Sequence, residues 1–127
     1  DKKYIKNLNK VEKEIMLNKG TEQPYKGLYN DFFNTGLYVC KGCERALYFS
    51  NYKFRSDCGW PSFDDEIQGA IIRIPDNSLG MRRVEICCKN CGGHLGHIFE
   101  GEHLTKKNIR HCVNSISMIF IPQKKQK

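Results

Sequence analysis

Two cysteine pairs of identical spacing, Cys40-Lys-Gly-Cys43 and Cys88-Lys-Asn-Cys91, constrain this chain more than any other feature. Thiolates two residues apart across a tight turn can both reach one ion, and two such turns close a tetrahedral four-sulfur site of the structural zinc kind. The segment between the pairs is longer than in a compact zinc ribbon, so the ion is expected to tie together two distant parts of a sheet. Two disulfides would use the same residues but need a secretory context that nothing else in the sequence suggests. A redox motif in either pair would need a strand-to-helix setting that neither has. Coincidence accounts poorly for a doubled spacing.

Four of the seven cysteines are thus assigned, leaving Cys58, Cys87 and Cys112 to be explained. At 127 residues the chain reads as one domain, 1–127, small enough to benefit from a metal staple. Hydrophobic content of 39% and charge of 28% are ordinary for a globular protein. No apolar run approaches a membrane span and no signal-peptide pattern opens the sequence, so no membrane partner is expected. Asp1 in place of Met reads as a cleaved, trimmed or excised end. Many thiols without export signals fit a reducing, cytoplasmic setting. The net charge of +7 invites a nucleic-acid reading. Much of the excess, however, sits in Lys2, Lys3, Lys6 and Lys10 and in the tail Lys124-Lys125-Gln126-Lys127, with no basic stripe interleaved with aromatics. Solvated ends are the better reading, and no nucleic-acid partner is expected.

Residues 8–18 carry the strongest helix pattern: Asn9 can cap, Glu12 stands three on, Leu8, Val11 and Ile15 share a face, and Gly20 can end it. Residues 20–34, rich in Gly, Pro, Asn and Tyr, read as an ordered loop wrapping the core. Strands are expected at Leu37–Cys40, Ala46–Phe49, Ala70–Ile74, Met81–Cys88, His97–Phe99, Arg110–Val113 and Ile116–Ile121, with a turn at Asp76–Gly80. Short strands at this spacing behind one N-terminal helix predict a mostly β, antiparallel domain.

Three segments carry candidate chemistry. In Arg110-His111-Cys112-Val113-Asn114-Ser115, strand alternation sends Arg110, Cys112 and Asn114 to one face. A guanidinium beside a thiol favours the nucleophilic thiolate, although an inert buried cysteine with polar neighbours explains the segment equally well. In Cys58-Gly59-Trp60-Pro61-Ser62-Phe63, the only tryptophan stands beside a cysteine. An indole wall can receive a sulfur-bearing group, but taken alone Trp60 and Phe63 read as core. In Gly92-Gly93-His94-Leu95-Gly96-His97, the imidazoles can donate to or protonate a departing oxygen, or be ordinary core-edge histidines.

Together these motifs resemble methionine sulfoxide reductase B, the family acting on the R epimer. The resemblance adds Asn18-Lys-Gly-Thr-Glu-Gln-Pro-Tyr-Lys-Gly27, Gly36-Leu-Tyr-Val-Cys40 and Gly93-His-Leu-Gly-His-Ile-Phe99, and covers a core of about 8–122. It implies two antiparallel sheets in a tent-like arrangement with a short N-terminal helix. It further implies Cys112 as nucleophile, Cys58 as resolving cysteine and Trp60 as the wall for the substrate methyl. His94, His97 and Asn114 would hydrogen-bond around the sulfoxide oxygen, with Arg110 supporting the thiolate. Structural Zn2+ would sit on Cys40, Cys43, Cys88 and Cys91, with no organic cofactor. The implied reaction, a protein-repair response to oxidative stress, runs through a Cys112 sulfenic acid and a Cys58–Cys112 disulfide recycled by thioredoxin.

The sequence departs from the family pattern at position 111, which is His where Tyr is frequent; alternation turns it away from Cys112. An acidic residue is expected after the histidine motif, and Glu100 and Glu102 both qualify by spacing. Cys87 matches no family role and reads as a spare thiol. A zinc-ribbon nucleic-acid module has no use for Cys58, Cys112 or Trp60. A general thiol peroxidase shares the sulfenic and disulfide steps and would separate by its oxidant.

Overall fold

A computed structural model describes residues 8–77 and 83–123. The one α-helix among the described residues, α1, spans Lys10–Met16 and is started by a reciprocal cap. Asn9 Oδ1 accepts from the Glu12 N–H at 2.8 Å, and Glu12 Oε1 accepts from the Asn9 N–H at 2.9 Å. The helix is shorter than 8–18, because Lys19 turns to φ 59° and the Gly20 N–H reaches back to the Glu14 carbonyl at 3.2 Å. Leu8, Ile15 and Met16 are buried, whereas Val11 is 58% exposed and lies off the packing face expected for it.

The strands are β1 Gly36–Cys40, β2 Ala46–Phe49, β3 Lys53–Phe54, β4 Ser62–Phe63, β5 Ile71–Asp76, β6 Arg83–Cys88, β7 His94–Glu100, β8 Ile109–Val113 and β9 Met118–Pro122. They form two wholly antiparallel sheets, a small one ordered β2-β1-β9 and a large one ordered β3-β4-β8-β7-β6-β5. The mostly β, two-sheet expectation with one short helix is borne out. Residues 116–117, expected as strand, lie instead in a 3-10 turn over Ser115–Ser117. Strands β3 and β4 are too short for a period-2 pattern to reveal. Met81 of the expected strand and residues 78–80 of the expected turn lie outside the described residues.

Aromatic side chains join the sheets. Phe63 of β4 stacks on Tyr48 of β2 at 4.2 Å and meets Tyr38 of β1 edge-on at 5.2 Å, while Phe120 of β9 closes on Tyr38 at 5.2 Å. The loop over 20–34 is stitched to this body. Tyr29 donates its N–H to Ser115 Oγ at 3.0 Å, its hydroxyl accepts from the Phe120 N–H at 2.9 Å, and its ring is buried.

The cysteine turns are the same structure built twice. The N–H of Cys40 donates to the Arg45 carbonyl and that of Glu44 to the Cys40 carbonyl, at 2.8 Å each. At the second pair, the N–H of Cys88 donates to Gly93 at 2.9 Å and that of Gly92 to Cys88 at 2.8 Å. Each turn needs a left-handed residue at the same place, Glu44 (φ 63°) and Gly92 (φ 78°). One turn follows β1 and the other follows β6, so the cluster joins two different sheets rather than two parts of one, correcting the sequence expectation. The four Sγ atoms lie within 4.8 Å of one another, with 3.6 Å between Cys40 and Cys91 and 3.5 Å between Cys43 and Cys88. Four thiolates about 2.3 Å from one tetrahedral ion would stand about 3.8 Å apart. The residues therefore fit a metal ion, and the all-sulfur donor set is compatible with zinc.

Candidate active site

Strand β8 lies inside the large sheet between β4 and β7, and this places Cys112. Its register partners are Ser62 on one side and His97 on the other. A cavity of about 100 Å³ opens here, lined by Cys112, Trp60, His94, His97 and Asn114, with Thr21, Arg83 and Phe99 at its edges. Three separated sequence segments thus converge on one sulfur. A larger hollow of about 870 Å³ lies between α1 and the loop over 20–29, and it contains no thiol and no histidine. Chemistry selects the smaller cavity.

Alternation along β8 holds. His111 points into the core, where Nδ1 meets the Tyr48 hydroxyl at 2.8 Å and burial lowers it to about 4. Cys112 and Asn114 face the cavity. Asn114 Oδ1 accepts from the Glu22 N–H at 3.0 Å, and its Nδ2 donates to the Leu95 carbonyl at 3.2 Å, fixing the amide on two sides. Arg110 lies outside the cavity lining. It is buried, forms a two-pronged pair with Glu102 at 2.7 and 3.1 Å, and covers the Phe99 ring at 4.6 Å.

Cys58 comes from the loop before β4. Its Sγ is in hydrogen-bonding contact with Cys112 and lies 3.4 Å from both Ser62 Oγ and the Trp60 carbonyl oxygen. The two sulfurs are free thiols. Contact with Cys112 holds Cys58 down to about 4, helped by the Ser56 and Ser62 hydroxyls and opposed by burial. Contact with Cys58, then burial, pushes Cys112 up, while Arg110 pulls it down. Either sulfur, once ionised, favours the charged form of Arg110.

Trp60 is half-buried, its indole N–H donates to the Glu22 carbonyl at 2.9 Å, and it lines the cavity beside Cys112. Glu22 in turn accepts the Ile116 N–H at 2.9 Å, which locks the loop against the catalytic segment.

Both histidines carry carboxylate partners that sequence reading missed. His94 Nδ1 lies 2.7 Å from Glu85 Oε2, and His97 Nε2 lies 2.8 Å from Asp76 Oδ2. These acids precede the histidine motif, whereas the candidates expected after it are elsewhere: Glu100 is exposed, and Glu102 holds Arg110. Antiparallel pairing of β5, β6 and β7 brings the earlier acids across, and no local signal marked them: the alternation Val84-Glu85-Ile86 reads as a carboxylate on the face away from the core. Cys87 is buried beside Glu85, its thiol donating at 3.3 Å, and burial raises it to about 12.

Comparison with known proteins completes the picture. A family model described as the SelR domain matches residues 8–122. "Peptide methionine sulfoxide reductase B2, chloroplastic" of Arabidopsis thaliana is 54% identical over 110 residues, covering 86% of this chain and 54% of the relative. "Peptide methionine sulfoxide reductase B5" of Oryza sativa subsp. japonica is 49% identical over 123 residues, covering 96% and 89%. "Peptide methionine sulfoxide reductase 2" of Saccharomyces cerevisiae is 46% identical over 124 residues, covering 93% and 74%. The chain thus spans about half the length of the chloroplastic relative and most of the other two.

Proposed function

The chain belongs to the SelR domain family, and from that premise we propose that it is an oxidoreductase that reduces methionine-R-sulfoxide, free or in proteins, to methionine. One observation carries the reading: Cys112 opens into a small cavity between an indole and two imidazoles, with a second thiol in contact behind it.

The steps balance as follows. As substrate enters, Cys112 passes its proton to the Cys58 thiolate and its own sulfur attacks the sulfoxide sulfur. A sulfur–sulfur bond forms as an imidazolium of the His94/His97 pair gives the oxygen a proton; the hydroxyl then passes from the substrate sulfur to the Cys112 sulfur as that sulfur–sulfur bond breaks, so methionine leaves with its lone pair restored and Cys112 as a sulfenic acid. The Cys58 thiol then attacks that sulfur, releasing water and closing a disulfide. A dithiol protein such as thioredoxin reopens it by exchange. Arg110 steadies the anionic pair. Asn114 positions the oxygen, and Trp60 takes the methyl group. At the S epimer, oxygen and lone pair exchange places, which turns the oxygen against Trp60 and away from the imidazoles.

We take the ion held by Cys40, Cys43, Cys88 and Cys91 to be zinc, a staple remote from the reaction. Among the described residues no helix is long and apolar enough to cross a membrane. The free thiols suit a reducing compartment such as the cytoplasm.

The test is a thioredoxin-coupled assay on separated epimers. The R form should be turned over and the S form not. Cys112→Ser should lose all reduction, and Cys58→Ser should release about one methionine per protein and stop, since no disulfide can form. Wild-type turnover by Cys112→Ser would refute the assignment.

A further inference from the structure

Glu85 is 1% exposed, which is rare for a carboxylate and demands partners. It has three. His94 Nδ1 lies 2.7 Å from Oε2, the Cys87 thiol donates to the same oxygen at 3.3 Å, and the Lys19 ammonium lies 3.2 Å from Oε1. On the far side of the imidazole, His94 Nε2 is buried with no hydrogen-bond partner among the described residues, and the ring lines the cavity that holds Cys112. An imidazole gripped at one nitrogen by a buried carboxylate and open at the other toward a nucleophile is oriented for proton transfer at the open atom. His97, by contrast, already commits Nε2 to Asp76.

We infer that Glu85 is the positioning residue of the reaction: it fixes His94 as the Nδ1–H tautomer and stabilises the imidazolium whose Nε2–H serves the sulfoxide oxygen. The inference rests on the reductase reading and deepens it. In the reaction the proton leaves His94 Nε2 for the oxygen of the breaking sulfur–oxygen bond, the Nδ1–H···Glu85 bond persists, and neutral His94 is reprotonated from solvent. Glu85 itself stays ionised. Burial alone would raise it, but the bonds from His94, Cys87 and Lys19 prevail and hold it below the usual carboxylate range.

The groups facing His94 decide the sign of the pH dependence. Burial lowers its proton affinity, Glu85 raises it, and His97 and Lys19 lower it, with the balance below the ordinary histidine value. Cys87 and Arg83 also approach from β6, Cys112 from β8, and Asp76 acts from β5 through His97. Of these groups, Glu85 both contacts the ring and favours its charge, so removing that charge must move the imidazolium toward deprotonation at lower pH.

The experiment compares the full-length, zinc-loaded wild type with Glu85→Gln, whose amide keeps the shape and loses the charge. Methionine release from the R-sulfoxide is followed across pH with dithiothreitol as reductant. In Glu85→Gln, kcat should fall at least about tenfold with KM within about twofold. The alkaline limb, where activity is lost as His94 gives up its proton, should move about one pH unit lower or more. A folded Glu85→Gln with wild-type zinc content, an unmoved alkaline limb and wild-type kcat overturns the inference. Should that variant fail to fold, nitrogen-15 NMR of the wild-type ring decides: the Nδ1–H tautomer of neutral His94 is expected, and the Nε2–H tautomer overturns it. A wild type inert toward the R-sulfoxide would instead sink the reductase reading beneath it, whereas wild-type turnover beside an unshifted variant sinks this inference alone.

Discussion

Cys58 and Cys112 differ little as residues, yet their surroundings give them different work. Cys112 sits in a central strand with its sulfur at the cavity; Cys58 sits on a loop whose hydroxyls and backbone favour the anion. The lowering of Cys58 depends first on contact with Cys112, which fixes a pH signature. A thiol held at about 4 keeps its charge as pH falls and loses it only near that value. The alkylation rate of Cys58, read by mass spectrometry, should therefore stay nearly flat from about pH 8 to about pH 5.5, where an ordinary thiol loses about tenfold per unit. In Cys112→Ser the plateau should disappear. A steep fall in the wild type over that range would show the pair does not share its charge. That Arg110 shares the face of β8 with Cys112 was legible because alternation on one strand is a local rule. That Glu102 clamps it over the Phe99 ring was not.

At the level of elements, β7 and β8 carry the candidate residues His94, His97 and Cys112, and their closeness depends on a residue with no side chain. A methyl group built on Gly96 would meet the Cys112 carbonyl oxygen at 1.8 Å and the Val113 Cα at 3.1 Å. Backbone atoms cannot yield as a flexible side chain would. Gly96→Ala should separate the strands at the nucleophile, lowering Tm by several degrees and activity by more than stability alone explains. A Gly96→Ala protein with unchanged Tm and turnover would contradict this. The long strands were readable because hydrophobic alternation is a property of the segment itself. The two-residue strands β3 and β4 were not, since their pairing comes from neighbours far along the chain. Yet β4 is what sets Ser62 beside Cys112 and brings the Cys58 loop into reach.

Across the whole molecule, the cysteine cluster and the aromatic contacts hold the same two sheets together from different places. One cysteine turn belongs to β1 of the small sheet and the other leads from β6 into β7, the strand that carries both histidines. Metal loss should therefore be felt in folding as well as at the site. Cys88→Ser, or a strong chelator, should release the ion and lower Tm by well over ten degrees or unfold the domain, because structural zinc binding is coupled to folding; retained metal and an unchanged melting curve would refute a structural role. What the sequence determined by itself was whatever depends on spacing and period: the four-sulfur cluster, the helix cap at Asn9, the longer strands, and the segments holding Cys58, Trp60, His94, His97 and Cys112. Only the tertiary structure decided that the cluster spans two sheets, that Val11 lies outside, that the Cys58 and Cys112 thiols touch, and that Glu85 and Asp76 stand behind the histidines. Those facts depend on which strands become neighbours, and strand neighbours are chosen by the packing of the whole chain, which no local pattern records.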